Sequence, residues 1–347
     1  MVGWVLLSLA PLAASPEAER QKVKVLRRLR HDAGAFTQGL LLDENGGSPR
    51  FIESTGLYGR STLREVDLES GAVLRGVDLP GGHFGEGLAL WGGRLIQLTW
   101  REGIAHVYDR GSFEKREEFR YEGEGWGLCS DGRRLVMSDG SSRLQFRSPE
   151  TFEPLSSVEV LLDGEPQPLL NELEYAGGFI YANVWTRDII LKIDPQSGIA
   201  AAVIDASGLL SPAEKLQADV LNGIAYSERR GSFFLTGKLW PAVFEVVFLP
   251  LSGDPPALFR RGDCDGNGSL HLTDAIFHLE SLFLGGDRPG CAEACDSNAD
   301  SRSDISDPLH LLSHLFLGGP ALPEPSGACG PDPNPSAGLG CARSPCE

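Results

Sequence analysis

Five short segments of this sequence can be stacked on one another: FTQGL (36–40), FGEGL (84–88), EGWGL (124–128), LNELEY (170–175) and LNGIAY (221–226). Stacking brings Gln38, Glu86, Trp126, Asn171 and Asn222 to one equivalent position. A second set, Trp100, Trp185 and Lys238, falls 14 to 16 residues after its partners in the first. Together the two sets hold one carboxylate, one ammonium, three side-chain amides and three indoles. That inventory could carry acid–base chemistry. A lone carboxylate among aromatic rings loses water, its pKa rises, and it can serve as base and then as acid. A lysine beside amide groups can hydrogen-bond an oxyanion, and indoles can hold a flexible substrate folded. The competing reading is a polar network that merely closes a channel, because such groups are costly to bury unless paired or used.

The elements that must position these residues follow from their spacing. The equivalent positions are separated by 48, 40, 45 and 51 residues, a period that suits a β-propeller with four strands per blade. LIQLTW (95–100), RLVMSD (134–139), FIYANVW (179–185) and SFFLTGKLW (232–240) alternate apolar and polar residues, as half-buried strands do. VDLESG, YDRGSF, SPETFEP and IDPQSG mark the hairpin turns between strands. In such a fold the first strand of each blade lines the channel and the second returns beside it. Both residue sets therefore meet on one rim. The fifth repeat ends early, at FEVVFLP (244–250), while KVKVLRRLR (22–30) is an orphan strand ahead of the first repeat. Pairing the orphan as the outer strand of the last blade would close the ring and cover an open edge. The expected fold is an all-β, five-bladed β-propeller over 22–250, with a linker at 251–261.

The 347 residues carry a net charge of -17, with 41% hydrophobic residues and a mean hydropathy of -0.13. From Gly262 onward 13 acids face three arginines and no lysine. This charge argues against a nucleic-acid partner, which requires a basic surface. Trp4 to Leu12 is apolar and is followed by Ala13, Ala14 and Ser15, the pattern of a signal peptide over 1–15, although a buried first strand would read similarly. No later stretch approaches the ~20 apolar residues of a membrane helix, so no span is expected in the mature protein. Cys129 is alone in the first 260 residues, whereas Cys264, Cys291, Cys295, Cys329, Cys341 and Cys346 crowd the tail. Six cysteines in a short segment predict a disulfide framework of open connectivity and an exported protein, periplasmic, surface-bound or secreted. Cys129 lacks a base partner nearby and reads as an inert thiol.

The tail has its own chemistry. DCDGNGSLHLTD places Asp263, Asp265, Asn267, Ser269 and Asp274 at loop positions 1, 3, 5, 7 and 12, with Gly268 at the sharp turn. DSNADSRSDISD repeats the pattern with Asp296, Asn298, Asp300, Asp304 and Asp307, with Ser301 where glycine is expected. Oxygens at this spacing are those of an EF-hand loop, so structural Ca²⁺ is the expected ion. An apolar helix ending in LFLGG follows each loop. The short helices and the Asp at the twelfth place resemble a duplicated dockerin-type module, here a small α-helical domain over 262–319 with a Pro/Gly/Cys-rich extension over 320–347. That resemblance implies a cohesin-like protein partner, with the face around His278, Leu282, His310 and Leu311 as the expected docking surface.

From His31 to Pro250 the ordered motifs AFTQGL, ESTGLYGRSTLREVDL, FGEGL, LTWREG, YEGEGWGL, SDGS, LNELEY, ANVW, IDPQSG, LNGIAY and TGKLWP resemble the plant and bacterial glutaminyl-peptide cyclotransferases. The family implies a five-bladed propeller that converts N-terminal glutamine of peptides to pyroglutamate, releasing ammonia without a catalytic cofactor. By resemblance Glu86 is the catalytic carboxylate, acting with Lys238, Asn171 and Gln38. Phe36, Phe84, Trp100, Glu124, Trp126, Trp185 and Asn222 then line the substrate pocket. Phe36 and Phe84 also read as core residues, and Glu124 as a partner of a rim cation. Arg30-His31-Asp32-Ala33 departs from the proline-flanked His-Asp usual in the family. Two other functions use the same fold: a calcium-dependent hydrolase of lactonase type, and a non-catalytic peptide binder that would dispense with Glu86.

Overall fold

The computed structural model describes residues 17–44, 47–251, 257–332, 339–341 and 346. The expected signal peptide lies outside these residues. The chain forms two compact units, Met1–Pro250 and Leu251–Glu347.

The first unit is built from antiparallel meanders, innermost strand first. One comprises β2 (Thr37–Asp43), β3 (Arg50–Thr55), β4 (Thr62–Asp67) and β5 (Val73–Asp78), preceded in the chain by β1 (Glu19–Arg30). The next two are β6 (Gly85–Trp91), β7 (Arg94–Thr99), β8 (Ile104–Asp109) and β9 (Lys115–Arg120), then β10 (Leu128–Ser130), β11 (Leu135–Met137), β12 (Arg143–Arg147) and β13 (Pro154–Glu159). A small hairpin, β14 (Leu161–Leu162) and β15 (Glu165–Pro166), leads to β16 (Leu170–Ala176), β17 (Phe179–Val184), β18 (Ile189–Ile193) and β19 (Ala200–Asp205). After a short helix, α1 (Pro212–Lys215), come β20 (Leu221–Ser227), β21 (Ser232–Gly237) and β22 (Ala242–Pro250). β1 runs antiparallel to β22, from Gln21 opposite Pro250 to Arg30 opposite Ala242. It also pairs in parallel with β19 through Glu19–Lys22. The orphan strand thus completes the last meander and fuses it to its neighbour in one eight-stranded sheet.

The second strands of the repeats depart from the half-buried pattern. β7, β17 and β21 are buried on both faces. The reason is that apolar clusters fill the gaps between consecutive meanders: Ile52 and Leu63 against Leu88 and Leu95, and Ala89 and Ile96 against Leu128 and Leu135. Cys129 and Val136 meet Leu173 and Ile180, Tyr181 and Ile190 meet Ile224 and Leu235, and Ala225 and Phe234 meet Leu40 and Phe51. Each fully buried Val, Leu, Ile or Phe among them contributes about 1.5–3 kcal/mol through water release. The outermost strands β5, β9 and β13 are largely exposed, and the charges of β9 (KREEFR) discourage edge pairing there.

In the second unit α2 (Leu272–Phe283) and α4 (Ser306–Leu317) pack through Ala275, Leu311 and Leu322, with α3 (Ala292–Cys295) between them in the chain. So small a core needs staples. Disulfides Cys264–Cys295, Cys291–Cys341 and Cys329–Cys346 supply them. The expected docking face is corrected here. His278 and Leu311 are buried, His278 hydrogen-bonding Ser303 Oγ at 2.9 Å while Leu311 fills the core. Exposed apolar side chains on these helices include instead Leu272, Ile276, Phe283, Leu309, Phe316 and Leu317. No helix among the described residues is long and apolar enough to cross a membrane.

Candidate active site

The site begins with irregularities in the innermost strands. Pairing slips between Thr37 and Gly39, between Gly85 and Leu88, between Leu170 and Leu173, and between Leu221 and Ile224. Gln38, Glu86, Asn171 and Asn222 each sit inside one of these bulges. A bulge frees a residue from the ladder and re-aims its side chain, and Trp126 holds the matching place just ahead of β10. The glycine that follows in four of the repeats is required by close backbone approach. A Cβ on Gly127 would lie 1.9 Å from the Asn171 carbonyl oxygen, and one on Gly87 2.4 Å from the Leu128 nitrogen. In the fourth repeat Glu172 takes the glycine's place and is itself structural. Its carboxylate accepts from the Leu40 and Ile224 amides at 3.2 and 2.8 Å, tying β16 to β2 and β20. Its burial pushes its pKa well above the usual carboxylate range. Sequence reading missed Glu172; its mark is the break in the glycine pattern.

Glu86 is buried. Gln38 donates to it through Nε2 at 2.9 Å and accepts in turn from Asn222 Nδ2 at 3.2 Å. Burial drives the Glu86 pKa well upward against the pull of Lys238, and the Glu124 and Glu102 charges add to the rise. Lys238 is also buried; desolvation lowers its pKa, opposed by Glu86 and Asp219. Its ammonium stands 5.0 Å from the centre of the Phe36 ring. Among the described residues the oxygen atoms Asn171 Oδ1 and Asn222 Oδ1 are buried without a hydrogen-bond partner, an arrangement that a ligand's N–H groups would satisfy.

Aromatic rings complete the wall. Phe84 meets Phe36, Tyr58 and Trp100 edge-on at centroid distances of 6.1, 5.3 and 5.6 Å. Trp126 and Trp185 cross at 87° and 5.6 Å, and Trp185 remains 39% exposed at the rim. Glu124 anchors the indoles, accepting from Trp100 Nε1 at 2.7 Å and Trp126 Nε1 at 3.0 Å, and it also pairs with Arg101 at 2.9 Å. Burial works to raise its pKa, but those three donors prevail and lower it, so Glu124 is an ionised anchor. Tyr58 and Glu102, hydrogen-bonded to each other at 2.9 Å, belong to the same wall. They lie within the motifs ESTGLYGRST and LTWREG but were not singled out from the sequence. Cys129 is buried, with a thiol pKa pushed well up by desolvation, and is no nucleophile.

A buried carboxylate under the electrostatic influence of a buried ammonium, walled by indoles and phenyl rings at the bulged ends of repeated β-meanders, supplies the groups that a general acid–base enzyme requires. The glutamine cyclotransferase family model matches residues 3–248, and the chain belongs to the glutamine cyclotransferase family. A glutaminyl-peptide cyclotransferase of Arabidopsis thaliana is 39% identical over 230 residues, covering 65% of this chain and 71% of that protein. The crystal structure of Myxococcus xanthus glutaminyl cyclase is 42% identical with a TM-score of 0.61, covering 68% of this chain and all of that one (100%). The family match ends before the second unit.

That unit gathers two carboxylate clusters, Asp263 with Asp265 and Asp274, and Asp296 with Asp300 and Asp307. Asn267 and Ser269 continue the first loop, where the Ser269 amide donates to Asn267 Oδ1 at 2.9 Å. The second loop copies the first in backbone form: Ala299 and Ser301 hold φ of 57° and 67° where Gly266 and Gly268 hold 72° and 83°. Asp304 stays outside the second cluster, its carboxylate accepting from the Ser306 amide at 2.7 Å, and Asn298 bonds Asp300 and Ser306. Among the described residues Asp263 Oδ1 and Asp307 Oδ1 are buried without a hydrogen-bond partner. Desolvation lifts the pKa of Asp274 to about 6 and of Asp307 to about 7. Orphaned, desolvated carboxylate oxygens at EF-hand spacing fit a hard divalent cation.

Proposed function

We propose that the chain converts N-terminal glutamine of peptides and proteins to pyroglutamate with release of ammonia, and that Glu86 carries the proton. The observation that carries this reading is the buried Glu86 carboxylate, its pKa raised by desolvation, held 2.9 Å from the Gln38 amide within reach of a buried lysine's charge. A free α-amine has a pKa of about 7.7–8.0, so near neutrality only a minority is nucleophilic. Glu86 takes a proton from that amine as its nitrogen bonds to the γ-carboxamide carbon. The resulting oxyanion is met by Lys238, with Gln38 or Asn171 as further donors. Glu86 then protonates the amide nitrogen, the carbon–nitrogen bond breaks, and ammonia leaves. Trp100, Trp126 and Trp185, with Phe36 and Phe84, hold the glutamine folded for attack, while Asn222 orients Gln38. Every step uses side chains of this chain, and no catalytic cofactor is invoked.

The five meanders are read as blades of a five-bladed propeller spanning 22–250. Support comes from the inner strands, which neighbour one another in the cycle β2, β6, β10, β16, β20 and back to β2. Residues 262–319 are read as a dockerin-like module in which the two aspartate clusters hold structural Ca²⁺, and the exposed faces of α2 and α4 as its surface for a cohesin-like partner. The disulfides suit export to an oxidising compartment. Neither the lactonase-type hydrolase nor the non-catalytic binder is favoured by the family match. The test is incubation of the full chain with a Gln-initiated peptide, following ammonia and the mass of the product. Intact glutaminyl peptide after prolonged incubation refutes cyclisation.

A further inference from the structure

A cavity of about 260 Å³ adjoins the site, with Asp32, Phe36, Gly56, Leu57, Arg60 and Arg64 in its lining. Its lining borders the side chains around Glu86. Phe36 belongs to both, and a Cβ on Gly56 would come within 2.3 Å of the Phe84 ring and 3.1 Å of Gln38. The turn that builds this lining is strained: Leu57, not a glycine, holds φ at 90°, and the Arg60 amide closes back on its carbonyl at 2.9 Å. The turn places Tyr58 against Phe84 and Arg60 in the cavity.

The charges in this lining differ in how they are met. Arg64 binds Asp32 at 2.8 Å and Glu53 at 2.8 Å, and Glu53 is held further by His31 at 2.9 Å and Thr37 at 2.6 Å. Those groups answer one another. Arg60 is exposed, and among the described residues its guanidinium has no hydrogen-bond or ion-pair partner.

We propose that this cavity receives the peptide beyond the glutamine, and that Arg60 selects substrates with an acidic side chain at the second or third residue. The inference rests on the cyclase reading. A glutamine seated against Glu86 must send its peptide chain out past the pocket wall, and each extended residue advances about 3.3–3.6 Å. One or two residues therefore cross the width of the Phe36 ring. A guanidinium there matches a carboxylate's geometry.

The test compares kcat/KM for Gln-Glu-Ala-amide, Gln-Ala-Glu-amide, Gln-Lys-Ala-amide and Gln-Ala-Ala-amide, the C-terminus blocked so that it cannot stand in for the acid. The expected result at low salt is a preference of about fivefold for an acidic peptide, the scale of one solvent-screened ion pair, fading at high salt. Arg60→Gln should bring the acidic-to-neutral ratio close to one, and Arg60→Glu should turn it toward the lysine peptide. A wild-type ratio of one at low salt, or a preference that survives in Arg60→Gln, overturns the subsite. Failure of the wild type to cyclise even Gln-Ala-Ala-amide overturns the cyclase reading and the subsite with it, a result distinct from cyclisation without preference.

Discussion

Replacing Glu86 by glutamine should separate catalysis from stability, in opposite directions. The substitution keeps shape and volume, and the new side-chain oxygen can still accept from Gln38 Nε2, now 2.9 Å from Glu86 Oε1. It removes the only proton carrier among the aligned first-strand residues. Turnover should fall at least ~10²-fold, the lower scale for a general acid–base residue. Stability should respond the other way. Burial raises the Glu86 pKa in the folded state, so between the unfolded and folded values the native chain binds more protons than the unfolded one. Its contribution is therefore fully present at low pH and is lost as pH rises through that window, by about 1.4 kcal/mol per pH unit for one group. Glutamine does not titrate, so the variant escapes this loss. Thermal unfolding of both proteins from pH 4 to pH 8 should show the difference in Tm shifting in the variant's favour as pH rises. Ammonia release from a Gln-initiated peptide supplies the activity arm. Near-wild-type turnover would refute the role of Glu86, and a variant that loses ground with rising pH would refute the account of its burial.

Lys238→Ala should lower kcat more than it raises KM, if the ammonium acts on the oxyanion; a pure rise in KM would make it a ground-state binder. Gly127→Ala should destabilise the first unit by more than ~3 kcal/mol in denaturant unfolding, because its Cβ would fall 1.9 Å from the Asn171 carbonyl oxygen; an unchanged midpoint contradicts that packing. Calcium added to the metal-free full chain should raise the unfolding temperature of the second unit, and Asp263→Ala with Asp274→Ala should weaken this response without slowing cyclisation. Equal unfolding with calcium and with chelator would leave those acids as a solvated surface.

The sequence by itself determined the repeat, the residues that the repeat aligns, and the two acidic loops. Each is a local pattern, and spacing along the chain is enough to display it. Glu86 was legible because it is the only carboxylate at five equivalent places, and the tail loops because ligand order within twelve residues mirrors the order of their oxygens. What only the tertiary structure decided involves partners distant in sequence. Alternation in β7 and β21 predicted one wet face, yet both faces are covered, because the covering side chains come from neighbouring meanders. His278 and Leu311 looked available on helices read in isolation, and the packing of α2 against α4 removed them from solvent. Six cysteines left their pairing open until the fold brought Cys264 to Cys295, Cys291 to Cys341 and Cys329 to Cys346. Glu172 shows the limit most clearly. Its sequence neighbours describe a strand, whereas its function comes from two backbone amides, Leu40 and Ile224, that only folding places within reach. Local spacing records what a segment can form; long-range hydrogen bonding and burial decide which groups meet.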